Sequence, residues 1–143
     1  MENKKKSEIP RNEIIIDARM GVVGRMASFA AKKTLLGNNV IIVNCNEAVI
    51  TGPRKAVIAT YTMKRTYGGT SQKGPYYSRV PERMMRKAVR GMLPWPKGRG
   101  REAFKRVMTY NDVPEEYSSK EKLSFKKPMK SKFLTLREIS RLM

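Results

Sequence analysis

Two short, uninterrupted apolar runs flank a stretch with helical periodicity near the start of the chain. Residues 14–16 are three consecutive isoleucines, and residues 40–43 read Val-Ile-Ile-Val. Continuous β-branched runs of this kind are typical of strands that are buried on both faces of a parallel sheet. Between them, alanine and leucine recur at helical spacing over residues 26–36, and Gly37 is suited to end a helix. Strand, helix and strand in this order predict a right-handed βαβ unit.

The remaining apolar pattern predicts further elements around that unit. Residues 48–50 and 107–110 are expected to be short strands, the second of which closes the sheet. Helices are predicted over residues 53–65 and 81–92, each opened by a proline, and another begins within residues 102–106.

Loops separate these elements, and a last helix is expected near the C-terminus. Residues 67–78 are rich in Gly, Ser and Lys, residues 97–101 read as a Gly/Arg turn, and residues 111–128 look irregular. Thr135 and Glu138 have the spacing of a capping box, which predicts the start of a short helix.

The chain of 143 residues has the size of a single domain. We expect residues 1–12 to be a flexible basic tail, residues 13–110 to form an α/β core, and residues 111–143 to be a C-terminal extension that ends in a helix. The predicted fold class is therefore α/β with a small, mainly parallel sheet, basic loops and a short C-terminal helix.

Charge is strongly basic and unevenly distributed. The chain has 31 Lys and Arg against 12 Asp and Glu, a formal net charge of +19. Residues 52–110 hold 15 of the basic side chains and only 2 of the acidic ones. Self-repulsion at such a charge disfavours the compact state, so a polyanionic partner is expected on this segment, and nucleic acid is the commonest. A membrane surface would be the rival, but the sequence shows neither a long basic amphipathic helix nor a lipidation signal.

The chemistry available to an enzyme is restricted. The sequence contains no histidine and a single cysteine, Cys45. Histidine is the side chain most often used as a general base and metal ligand, and one cysteine forms neither an internal disulfide nor a cysteine-based zinc site. We therefore expect an intracellular, reduced protein without a metal or cofactor. Residues 1–10 do not resemble a signal peptide, and no apolar run is long enough to span a membrane.

The most informative cluster of cations falls on the helix predicted over residues 81–92. Arg83, Arg86, Lys87 and Arg90 recur at offsets that place them on one helical face, and an apolar face is formed by Met85, Ala88, Val89 and Met92. Four cations in a stripe repel one another unless an anion faces them, so phosphate contact is favoured over a merely solvated face.

Two further clusters lie on either side of that helix. One contains Lys97, Arg99, Arg101, Lys105 and Arg106, where Gly98 and Gly100 are expected to let the backbone approach a partner. The other combines cations with aromatic side chains that could stack on unpaired bases or anchor the core: Lys64, Arg65, Lys73 and Arg79 with Tyr67, Tyr76 and Tyr77. Trp95, between two prolines, is interpreted as a packing anchor.

A nucleotide-binding α/β enzyme is the alternative hypothesis. Gly21 and Gly24 lie between the first strand and helix, but the complete dinucleotide and Walker motifs are missing. In an enzyme, Asp17 would be catalytic or ribose-binding. A tight turn with close helix packing, and an Asp17 that caps the turn or pairs with an arginine, explain the same residues without catalysis. Cys45 is expected to be a small buried hydrophobe.

Several short motifs resemble the L-thirteen family of large-subunit ribosomal proteins. In chain order they are Ile-Asp-Ala at 16–18, Val-Gly-Arg-Met-Ala-Ser at 23–28, Ile-Thr-Gly at 50–52, Gly-Pro-Tyr-Tyr at 74–77, Val-Arg-Gly-Met-Leu-Pro at 89–94, Arg-Gly-Arg at 99–101 and Phe-Lys-Arg at 104–106. The run at 89–94 is the most specific, and the resemblance covers residues 14–117. The motif at 74–77 is similar to the archaeal and eukaryotic branch.

The resemblance implies a three-layer α/β/α domain that is a structural, non-catalytic part of the large ribosomal subunit. Its partners would be large-subunit ribosomal RNA and neighbouring ribosomal proteins in the cytoplasm, without a membrane or a homo-oligomer. A role as an RNA-binding regulator off the ribosome is an additional hypothesis. The resemblance points to six RNA-facing residues: Arg25, Arg90, Arg99, Arg101, Lys105 and Arg106.

Together, the clusters and the resemblance give one set of predicted RNA contacts. These are Arg25, Arg54, Lys55, Lys64, Arg65, Lys73, Arg79, Arg83, Arg86, Lys87, Arg90, Lys97, Arg99, Arg101, Lys105 and Arg106.

Overall fold

The structure, a computed structural model, describes residues 12–67, 74 and 76–143. The predicted tail, except for residue 12, and Lys73 lie outside the described residues. The strands are β1 (Glu13–Asp17), β2 (Asn39–Val43), β3 (Val49–Thr51), β4 (Val107–Thr109), β5 (Leu123–Ser124) and β6 (Phe133–Thr135). The helices are α1 (Val23–Leu35), α2 (Arg54–Thr66), α3 (Pro81–Gly91), α4 (Gly98–Lys105), α5 (Glu115–Ser118) and α6 (Leu136–Leu142).

The predicted βαβ unit forms the centre of the fold. β1 and β2 pair in parallel with Ile14 opposite Val40 and Ile16 opposite Ile42, and α1 connects them. β4 adds to the far side of β2 and β5 to the far side of β1, both in parallel, so the strand order is β4-β2-β1-β5. The predicted α/β fold class with a mainly parallel sheet and a short C-terminal helix is confirmed.

Both faces of the sheet are covered, which explains the unbroken apolar runs. Ile16 and Ile42 pack against residues of α1, α3, α4 and α6 in the main core. Side chains alternate along a strand, so Ile15 and Ile41 point to the opposite face, where the segment containing Tyr110, Val113, Tyr117 and the one-turn helix α5 covers them. Full burial of an isoleucine contributes about 1.5–3 kcal/mol, so these strands contribute substantially to the stability of the core.

α1 begins three residues before the predicted start. Val23 is buried at the first position of the helix. The next two residues, Gly24 and Arg25, are exposed and not apolar, so the sequence shows no helical repeat of apolar residues there. Gly37, with φ of 95°, follows the helix as expected.

A separate two-stranded sheet lies beside the core. β3 runs antiparallel to β6, with Val49 opposite Thr135. The capping box predicted at the start of α6 is confirmed: the Glu138 N–H donates to Thr135 Oγ1 at 3.2 Å, and the Thr135 N–H donates to Glu138 Oε2 at 2.9 Å. The strand predicted at residues 48–50 is therefore present one residue later, but it belongs to this second sheet.

Two predicted irregular segments contain regular structure. Residues 97–101 were predicted to be a turn, but α4 already begins at Gly98. The prediction was wrong because tertiary packing outweighs the low helix propensity of two glycines. Residues 111–128 contain α5 and β5, which are too short to produce a periodic signal in the sequence.

Among the described residues, no helix combines the length and apolarity that crossing a bilayer requires.

Candidate nucleic-acid interface

α3 presents a basic face and an apolar face. Arg83, Lys87 and Arg90 are exposed and Arg86 is half-buried. The buried side is formed by Pro81, Met84, Met85 and Val89. Met92 was predicted on the apolar face, but it is 44% exposed because α3 ends at Gly91 and Met92 lies in the following turn. Met84, which the predicted face omitted, is buried instead.

Two arginines of this face lie against aromatic rings. The guanidinium carbon of Arg86 lies 4.6 Å from the centre of the Phe104 ring, and that of Arg90 lies 4.3 Å from the Trp95 ring. Trp95 and Phe104 contact each other edge to face, with centroids 5.0 Å apart and planes at 89°. We call this ring pair the aromatic ledge. Because arginine is attracted to the face of an aromatic ring, the ledge restricts the positions of both guanidinium groups.

α4 packs closely enough to fix the ledge in place. A Cβ built on Gly100 would lie 2.1 Å from the carbonyl oxygen of Pro94, so any larger residue would push the helix away from the loop that carries Trp95. Arg101 Nε also donates a hydrogen bond to the Trp95 carbonyl oxygen at 3.3 Å. Gly100 was expected to admit a partner. That expectation was wrong, since Gly100 is buried and the backbone that packs against it is that of Pro94 in the same chain. The interpretation of Trp95 as a packing anchor agrees with these contacts.

The cations of α3 and α4 are not neutralised within the described part of the chain. The ion pairs found there join Arg19 to Glu47 at 3.8 Å and Lys120 to Glu13 at 2.7 Å, both remote from these helices in sequence. Arg86 Nε is buried without a hydrogen-bond partner among the described residues. A buried donor without an acceptor costs about 1–3 kcal/mol, so this position of Arg86 is costly to the fold.

The other predicted contacts occupy several surfaces. Most of these side chains are exposed and lie on α1, α2 and α4 or in the segments before α3 and α4. They are Arg25, Arg54, Lys55, Lys64, Arg65, Arg79, Lys97, Arg99, Arg101 and Lys105. Arg106 differs, because its guanidinium donates to the Thr34 carbonyl oxygen at 3.1 Å and is half-buried. Arg106 therefore supports the fold, whatever else it contacts.

A second basic cleft was not predicted. Arg54 lines it together with Lys130, Lys132 and Phe133. The two lysines lie in a lysine-rich stretch of the C-terminal extension. That local density of positive charge is the feature of the sequence from which this cleft could have been predicted.

A larger cleft of about 510 Å³ lies between α2 and α3. We call it the tyrosine cleft; its lining residues are Tyr61, Lys64, Tyr67, Tyr77, Lys87, Ala88 and Gly91. Tyr61 and Tyr77 meet edge to face with centroids 5.7 Å apart. Burial raises the pKa of both phenols, and Tyr61 raises the pKa of Tyr77 further, so both are neutral near neutral pH. The neutral phenols add no negative charge, so the two lysines, Lys64 and Lys87, leave the cleft positively charged.

The features that favoured an enzyme have structural explanations. Asp17 Oδ1 accepts hydrogen bonds from the Arg19 N–H at 3.1 Å and from Asn44 Nδ2 at 2.8 Å, so it caps the turn after β1. A Cβ on Gly21 would lie 2.7 Å from Met26 Sδ, which assigns this glycine to helix packing. Cys45 is fully buried, and burial raises the pKa of its thiol to about 12. The described residues also contain no acidic or cysteine cluster that could hold a metal ion.

Comparison with known proteins identifies the family. The sequence model of the family described as Ribosomal protein L13 matches residues 11–116, well over half of the chain. The chain belongs to the ribosomal protein L13 family. This confirms the resemblance found in residues 14–117.

Archaeal members of the L13 family are similar over most of the chain. A protein of Archaeoglobus fulgidus, named large ribosomal subunit protein uL13, is 41% identical over 133 residues, which cover 89% of this chain and 85% of the relative. The protein of the same name from Methanocaldococcus jannaschii is 39% identical, with 89% and 94% covered. That of Picrophilus torridus is 38% identical, with 91% and 96% covered.

Proposed function

We propose that the protein is a structural constituent of the cytoplasmic large ribosomal subunit, where it binds and bridges segments of ribosomal RNA. Membership of the L13 family and the names of its archaeal relatives support the ribosomal role. The family is one of structural ribosomal components, so the role is not enzymatic. Neighbouring large-subunit proteins are further partners in this proposal.

The arginines on the aromatic ledge carry the proposal of RNA binding. A guanidinium group that stacks through its face keeps its N–H edge for hydrogen bonds, and that edge matches phosphate in a bidentate manner. The positions of the Arg86 and Arg90 guanidinium carbons over the Phe104 and Trp95 rings support such an arrangement, and Arg90 is the more exposed of the two. Because the rings already restrict these long side chains, less conformational entropy is lost when a phosphate binds.

The spread of cations supports bridging rather than binding to a single site. α3 and α4 form one basic surface, the first turns of α1 and α2 carry Arg25 and Arg54, and Lys64 and Arg65 lie towards the end of α2. Surfaces on separate elements can contact different RNA segments and hold them together. Contacts of this kind read the shape and charge of RNA rather than its sequence.

Sedimentation of tagged protein tests this function. We expect wild-type protein in its own cells to remain with the large subunit through a high-salt wash, because loosely adsorbed basic proteins dissociate as salt rises. The double variant Arg86→Glu, Arg90→Glu should fold but fail to incorporate. The matched control is Arg137→Glu, Arg141→Glu, which reverses two exposed arginines at the same spacing on α6.

Two results would count against the proposal. Wild-type protein that stays at the top of the gradient even at low salt would overturn the ribosomal role. Normal incorporation of the Arg86/Arg90 variant would overturn the α3 surface as the RNA contact.

A further inference from the structure

We propose that the tyrosine cleft receives the base of an unpaired nucleotide in the bound RNA. This inference rests on the proposed function and adds a second mode of recognition to it, since the arginines of the ledge contact the backbone and the cleft contacts a base. Ribosomal RNA contains many unpaired residues, and aromatic side chains are a common platform for such bases.

The dimensions of the cleft suit a single nucleotide. Its volume of about 510 Å³ lies within the ~300–1,000 Å³ of typical small-molecule sites. Ala88 and Gly91 leave room on the α3 side, and a Cβ built on Gly91 would meet no atom of the described residues within 4 Å. A flat ring can therefore enter without displacing α3.

Tyr67 provides the exposed stacking surface of the cleft. Tyr61 and Tyr77 meet edge to face, and Lys64 and Lys87 lie over their rings. Tyr67, just after the end of α2, is 75% exposed although it is a large aromatic residue that lines the cleft. Base–aromatic stacking tolerates any base, so this site would select an unpaired nucleotide rather than a particular sequence.

The charge at the cleft suits the phosphate of the same nucleotide. Lys64 Nζ lies 5.0 Å from the Tyr61 ring centre, and Lys87 Nζ lies 4.1 Å from that of Tyr77. Both ammonium groups lie over ring faces, and Lys64 Nζ is also 5.8 Å from the Tyr77 centre, so a base would stack on Tyr67 with these cations close to its phosphate. Among the described residues, no carboxylate lines the cleft.

The cleft is also continuous with the phosphate-binding surface. Lys87 lines the cleft and directly follows Arg86, which lies on the ledge. An RNA strand that contacts Arg86 and Arg90 would thus pass the mouth of the cleft, where an unpaired base can turn inward.

The test compares two short oligomers that differ only in their bases. Fluorescence anisotropy would measure binding of the full-length protein to a labelled oligouridylate and to an abasic oligomer of the same length and charge. We expect the base-bearing oligomer to bind at least about fivefold more tightly, the effect of one stacked base. Gly91→Leu, which fills the cleft without removing a contact, should abolish that preference but leave abasic binding unchanged.

Gly24→Leu provides the matched control. Gly24 is also a helical glycine whose Cβ would meet nothing within 4 Å, and it does not line the cleft. This variant should keep the preference for bases. Equal binding of both oligomers by wild-type protein would overturn the base site and leave the backbone proposal standing. A preference that survives in Gly91→Leu would place stacking elsewhere and overturn the cleft. Binding of neither oligomer at low salt would overturn RNA binding, and the cleft with it.

Discussion

Arg106 is joined to Thr34 across the fold, because Nη1 of its guanidinium donates to the Thr34 carbonyl oxygen at 3.1 Å. Thr34 lies in the last turn of α1, where the negative end of the helix attracts cations, and its carbonyl oxygen also accepts from the Gly37 N–H at 3.1 Å. The contact ties the residue that follows α4 to the end of α1.

Replacement of Arg106 should therefore reduce stability. We expect Arg106→Met to lower the free energy of unfolding by about 1–2 kcal/mol, since a half-buried, charge-assisted hydrogen bond is lost. Urea denaturation followed by circular dichroism would measure the change. Arg99→Met, an exposed position on α4, is the control and should alter stability by less than about 0.5 kcal/mol. Equal stability of the two variants would show that the Arg106 contact contributes nothing.

Two glycines of α4 should respond in opposite ways to alanine. Gly100→Ala places a methyl group against the Pro94 carbonyl and should destabilise the fold by about 1–3 kcal/mol. Gly98→Ala meets nothing within 4 Å and should be neutral or stabilising by up to about 1 kcal/mol. Thermal unfolding would compare them, and similar melting temperatures would mean that α4 does not press against the Pro94 loop.

Trp95 should affect RNA binding as a positioning residue. We expect Trp95→Ala to weaken binding of a structured RNA by about two- to fivefold, the equivalent of one cation–π contact of about 0.5–1 kcal/mol. The slope of log K against log salt should stay unchanged, because in the proposed interface Arg90 would still neutralise a phosphate. Arg90→Gln should reduce that slope by about one unit. Trp95→Phe, which retains a ring, should restore most of the affinity. A reduced slope in Trp95→Ala would instead mean that a phosphate contact depends entirely on the ring.

Cys45 should be unreactive in the folded protein. Burial raises the pKa of its thiol from 9.0 to about 12, so the neutral form dominates below that pH. Iodoacetamide at neutral pH should modify it only in denaturant, as mass spectrometry would show. Rapid modification of the native protein would mean that the turn after β2, which begins at Cys45, opens readily.

The same thiol should make stability depend on alkaline pH. In the unfolded chain the thiol ionises near pH 9, whereas in the folded chain it stays protonated until about pH 12. The unfolded state therefore binds fewer protons between these values, and stability should fall as pH rises through that window. Cys45→Ala should remove this part of the pH dependence when urea denaturation is repeated at each pH.

The sequence alone was sufficient to predict elements whose pattern lies within one short segment. The isoleucine run of β1 and the apolar run of β2 have one buried arrangement available, with both faces covered, and the structure shows it. The capping box of Thr135 and Glu138 is a local motif for the same reason. The basic face of α3 could also be predicted, since it depends on helical spacing alone.

The contacts that the sequence could not provide are those between distant residues. Spacing places Arg86 and Arg90 on one face but does not show that Phe104 and Trp95 lie beneath them. The sequence indicates a flexible position at Gly100, and only the fold shows that the Pro94 carbonyl lies beside it. β6 was not predicted because a strand of three residues among lysines is too short to show an alternation of apolar and polar residues. It is defined by its pairing with β3.

That pairing also affects the order in which the chain can fold as it is synthesised. Val49 is fully buried, yet its strand partner, Thr135, is translated long after it. The βαβ unit can pair earlier, because β1 and β2 are close in sequence, whereas β3 must wait for β6 and α6. Until then, Val49 and its buried neighbour Ala48 lack the cover of β6 and α6, and the core lacks Leu134, Leu136 and Ile139.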